Sequence, residues 1–165
     1  MFDHVLEEDE FGRDYSHSLI WNLQNVRDDQ WDMQPDRCVR TIREIAHHIG
    51  KTWLLCSSRS FRNESREWDD MTIDGSNPEG SRAATIAWLR KTHQRLRDDI
   101  ATLTDADLRQ VRPAPWGDVY ETRRLIELQI QRALYHSGEI NHLRAQLQGN
   151  DDWNHQDMGR IASVA

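Results

Sequence analysis

Gln129, Arg132 and His136 interrupt what is otherwise the apolar face of a helix. Stepping three or four residues at a time from Leu125 gives Gln129, Arg132, His136, Ile140, Leu143 and Leu147, which share one side at 3.6 residues per turn. A buried polar group without a partner costs on the order of 1–3 kcal/mol, so a metal, a ligand, water or one another must satisfy these three. The same side chains that create this cost are the ones able to do chemistry.

The elements that must position them are helical. One apolar stripe runs from Phe11 to Asp29 through Tyr15, Leu19, Leu23 and Val26. A second helix is predicted to start at Thr41, whose hydroxyl forms a capping box with Glu44, and its apolar face is Ile42, Ile45, Ile49, Trp53 and Cys56. A third, from Ser81 to Leu103, repeats Ile86, Leu89, His93, Leu96, Ile100 and Leu103. The fourth runs from Glu121 to Gln148. No strand, repeat or low-complexity segment is expected between them, so the chain is predicted to be all-α. The connection from Phe61 to Gly80 exceeds the ~12–15 residues typical of a plain loop, which suits it to covering a site. Pro113, Pro115 and Gly117 stop any helix before the fourth and place Trp116 and Tyr120 near the end of the bundle.

With 165 residues the chain is predicted to form a single domain over 1–165, with a polar, weakly packed tail from about residue 150. Lysine and arginine number 21 against 28 acidic residues, a net charge of −7, which disfavours nucleic acid as a partner. Two cysteines, Cys38 and Cys56, are too few for a disulfide framework, and Cys56 is expected as a buried thiol. The acidic start lacks the features of a signal peptide, and no apolar run reaches the ~18 residues that span a bilayer. A cytoplasmic protein without membrane partners is expected.

The segments IREIAHHIG, APWGDVYETRR and LYHSGEINHLRAQLQGNDDW, with FGRDYSHSLIWNLQNVRDDQW near the start, together resemble the DinB-like (DinB/YfiT) superfamily. The resemblance implies a four-helix bundle connected up-down-down-up, with a long crossover between helices two and three, often paired as a homodimer. It also implies a divalent metal, nickel or zinc, on three histidines, one from helix two and two spaced four apart on the last helix. Members with assigned activities are thiol-dependent transferases and isomerases, which points to a small-molecule substrate and a thiol cofactor. Carried over residue by residue, the resemblance places metal ligands at His48 and His136, and the third position falls on Arg132. Arginine has no lone pair to give, and a cation about 4 Å from a dication is repelled by several kcal/mol even at a dielectric near 20.

Three arrangements are compatible with these residues. A metal on His48 and His136 would draw further ligands from Glu139, His47, His17 or water, and act on a thiol or a water in a transferase or hydrolase reaction. Without metal, Arg132 would hold a substrate carboxylate while His48 or His136 serves as acid or base, with Arg132 and Glu139 the catalytic candidates. In the third, Arg132 and Glu139 tie to each other and to His136 and Gln129, in a non-catalytic bundle that binds a small molecule or dimerises. His142, about 240° round the helix from His136, is expected to point elsewhere. His93 is expected in the core, and His47 on the surface or a helix interface. Trp68 and Trp116 are the tryptophans placed to wall a pocket.

Overall fold

In the computed structural model three of the four α-helices among the described residues begin on a side chain that satisfies free N–H groups of the first turn. The structure describes residues 18–152 except Arg37 and Glu79, so Phe11, Tyr15 and His17 lie outside it. The helices are Leu19–Gln24 (α1), Ile42–Leu55 (α2), Arg82–Ala101 (α3) and Thr122–Gln148 (α4). Ser18 caps α1 and Ser81 caps α3. The capping box of α2 is present: Glu44 N–H donates to Thr41 Oγ1 at 3.2 Å, and Thr41 N–H donates to Glu44 Oε2 at 2.8 Å. Gly149, at φ +77°, ends α4 in the left-handed conformation that glycine adopts without steric cost. The first helix stops at Gln24 and not near Asp29. Asn25 Nδ2 donates to the Trp21 carbonyl at 2.9 Å, a local bond that competes with further helical turns.

The expectation of a chain without strands is corrected. Val111–Pro113 (β1) and Val119–Glu121 (β2) pair antiparallel, with Val111 opposite Glu121 and Pro113 opposite Val119. Strands of three residues are too short to show alternation, and Val111 and Val119 are both exposed, so the hairpin has no apolar face for a sequence pattern to reveal. The architecture is therefore mostly helical with one small two-stranded sheet. Among the described residues no helix is long and apolar enough to cross a membrane.

Helix α2 packs against both α3 and α4, and α1 packs on α4. The core between them holds Leu23, Ile45, Trp53, Leu89, Leu125 and Ile140, each worth roughly 1.5–3 kcal/mol when fully buried. His93 lies within it, edge-on to Trp53 at 5.3 Å, as expected of a core histidine. Cys56 is a free buried thiol, pushed up to about 12 by burial and so unsuited to nucleophilic work.

The C-terminal end of α2 widens into a π-helical turn, Cys56–Phe61, whose polar groups tie the hairpin down. Ser60 Oγ donates to the Pro113 carbonyl at 2.7 Å and Arg59 to the Pro115 carbonyl at 2.9 Å. The Phe61–Gly80 connection is anchored by Trp88 Nε1, which donates to the Met71 carbonyl at 2.7 Å, and by buried Ile73.

Gly50 lies on α2 where the Trp88 ring presses against its backbone, and a Cβ there would fall inside the contact distance of three ring atoms. Gly50→Ala is expected to destabilise the fold by about 1–3 kcal/mol through overpacking, despite alanine's better helix propensity. Thermal or denaturant unfolding checks this, and an unchanged or raised midpoint would contradict the close approach.

Candidate functional site

Two turns into α2, and halfway along α4, two imidazoles meet. The rings of His48 and His136 lie 5.0 Å apart, edge to face at 79°. Their register follows from local chemistry: the capping box sets the start of α2, and the apolar stripes of both helices turn these positions towards each other. His136 is buried and His48 is half-buried.

Glu139, one turn beyond His136, accepts from Nδ1 of that ring at 2.8 Å. A carboxylate accepts only, so Nδ1 carries the proton and Nε2 is left as the ring's free position. The other side of Glu139 is held by Arg40, whose guanidinium donates to Oε1 at 3.0 Å and Oε2 at 3.2 Å. Arg40 lies just before α2, outside any periodic segment, and no pattern in the chain identifies it.

His48 is held neutral. Burial first, then the proximity of His136, Arg40 and Arg132, pushes its pKa down to about 4, against a smaller opposing pull from Glu139. Neither of its ring nitrogens is hydrogen-bonded among the described residues. Trp68, from the long α2–α3 connection, leans on the His48 ring at 5.6 Å, so that connection covers the site as its length suggested. Tyr135, 69% exposed, sits edge-on to His136 at 5.0 Å.

Arg132 does not join Glu139, and the network expected between them is not formed. Its guanidinium carbon lies 3.8 Å from the centre of the Trp116 ring, a close cation–π contact. Trp116 is itself held by Nε1, which donates to Asp118 Oδ2 at 2.9 Å, an oxygen that also accepts from Tyr120. Gln129 is buried on the same stripe, and both ends of its amide lack a partner.

The other histidines fall where expected. His142 is exposed. His47 lies at the α2–α3 interface, with Nε2 3.1 Å from Thr85 Oγ1 and the ring edge-on to Trp88. His17 lies outside the described residues.

The donor set at the His48–His136 gap is thus two imidazoles, one backed by a carboxylate. It fits a divalent ion of borderline softness that completes its shell from solvent or substrate, since a ligating histidine commonly gives its second N–H to a carboxylate. Among the described residues no three histidine, cysteine, aspartate or glutamate side chains converge to close such a shell. A shallow groove lined by Val119, Tyr120, Arg123, Arg124 and Glu127 opens at the start of α4 and shares no lining residue with the histidine pair.

A histidine whose folded pKa is depressed contributes stability that is intact above its unfolded value of 6.5 and is lost as the pH falls towards 4. Ring-proton NMR of chelator-treated protein is expected to show His48 titrating below pH 5. The loss of unfolding free energy between pH 6.5 and 4 should be smaller in His48→Gln. A His48 midpoint near 6.5 would contradict the neutral assignment.

A family model described as the DinB superfamily matches residues 10–140. Comparison with curated proteins returns no match. With most of its length covered by that family model, the chain belongs to the DinB superfamily.

Proposed function

We propose that the His48–His136 gap is the reactive centre of a small-molecule enzyme, a thiol transferase or hydrolase, in which the two imidazoles hold nickel or zinc. The observation that carries this reading is the Arg40–Glu139–His136 chain. It gives the second N–H of one imidazole to a carboxylate, itself held by an arginine, which is the arrangement a ligating histidine commonly has. Bound there, the metal would supply Lewis acidity and lower the pKa of a coordinated thiol or water.

The chain's own residues supply the rest. Glu139 keeps the His136 proton on Nδ1 and so keeps Nε2 free to bind. Burial keeps His48 in the neutral form that has a lone pair to give at physiological pH. Trp68 packs on the His48 ring and Tyr135 on the His136 ring. The same reading carries the family's up-down-down-up bundle, a thiol cofactor, a homodimer and a cytoplasmic location.

A metal-free site, in which His48 acts as base and Arg132 holds the substrate, is favoured by one observation: the side chain at the third ligand position is a cation. Metal analysis separates the two. Protein purified without an affinity tag is expected to carry or take up one nickel or zinc per chain. His136→Ala should abolish it, and Glu139→Gln should weaken it by about 10–100-fold. Arg132→His should tighten binding, since it adds a donor and removes a repelling charge. Absence of stoichiometric uptake, or an unchanged affinity in Arg132→His, would overturn the metal reading.

A further inference from the structure

Arg132 is a half-buried cation that makes neither a hydrogen bond nor an ion pair among the described residues. This is unusual in a chain of net charge −7, where acidic partners are plentiful. The carboxylates that enter neighbouring contacts are already engaged. Glu139 is held by Arg40 and His136, and Asp118 by the neutral donors of Trp116 and Tyr120. The Trp116 ring fixes one face of the guanidinium and leaves its edge of N–H donors without an acceptor.

Helical spacing places Arg132 four residues before His136, so the two side chains are neighbours about 5–6 Å apart at Cβ. The His136 ring in turn lies 5.0 Å from that of His48, so the guanidinium stem and the imidazole pair adjoin along α4. Deeper on the stripe, the amide of Gln129 is 1% exposed with its nitrogen and oxygen both unsatisfied, a second polar group that looks for a ligand or water.

We propose that this gap binds a small planar carboxylate with an aromatic or apolar body. The carboxylate lies bidentate on the edge of Arg132, and the body lies against the His48–His136 pair. A planar fork selects a carboxylate over a neutral amide of the same shape, because only the anion gives two acceptors and compensates the charge. The inference rests on the gap being a small-molecule site, but it does not require metal.

Calorimetric titration of the full chain, treated with chelator, with benzoate and with benzamide tests it. Benzoate is expected to bind saturably at one site per chain and at least tenfold more tightly than benzamide. Arg132→Met, which keeps an apolar stem on Trp116, should lose at least tenfold in benzoate affinity, and Arg132→Lys should lie between. Absence of saturable benzoate binding below about 10 mM, equal binding of the two probes, or wild-type affinity in a folded Arg132→Met variant would each overturn the proposal. Benzoate selectivity in protein that never takes up nickel or zinc would leave the carboxylate site standing while the metal reading falls. Stoichiometric metal without benzoate selectivity would do the reverse.

Discussion

The carboxylate of Glu139, shared between Arg40 and His136, is the interaction on which the site depends. An ion pair of half-exposed side chains contributes little to stability, typically below about 1 kcal/mol. Its consequence is geometric: one carboxylate receives the Nδ1 proton of His136 and fixes both tautomer and ring orientation. Without it the ring could present either nitrogen to the gap. Because Arg40 precedes α2 and Glu139 lies on α4, the same contact ties together the two helices whose histidines meet.

A second constraint comes from the far end of α2. There the π-helical turn offers Arg59 and Ser60 to the backbone carbonyls of the hairpin, which in turn presents Trp116 to Arg132. The side chains of this turn become the attachment points of a hairpin too short to be stable alone. The position of the guanidinium thus follows from a chain of contacts that begins outside α4. The aromatic face holds one side of the Arg132 guanidinium and leaves its hydrogen-bonding edge open.

The polar residues on the inner face of α4 are satisfied in different ways, and the differences are informative. His136 is partnered by Glu139, and fully buried Arg144 donates to the Asp152 carbonyl at 2.6 Å. Gln129 has no partner among the described residues. A helix that buries this much polarity stores an unfavourable solvation cost along its core face, of the kind that binding sites rather than packing layers carry.

Much of the framework was legible in the chain. The capping box at Thr41, the apolar stripes of α2, α3 and α4, the end of α4 at Gln148 and the core place of His93 are local or periodic features, and each follows from neighbours within a few residues. Periodicity also marks the inward face of α4 and His136 on it, whereas His48 is singled out by the resemblance of IREIAHHIG to the family, and the two rings do meet. The hairpin escaped because three-residue strands with exposed valines leave no alternation. The partners of Glu139 and Arg132 escaped because Arg40 and Trp116 sit in connections, where no repeat constrains direction. Residue type and spacing therefore determined which side chains face the interior. Tertiary structure alone decided which charges pair there, since pairing depends on distances between segments far apart in the chain, and these are set by packing.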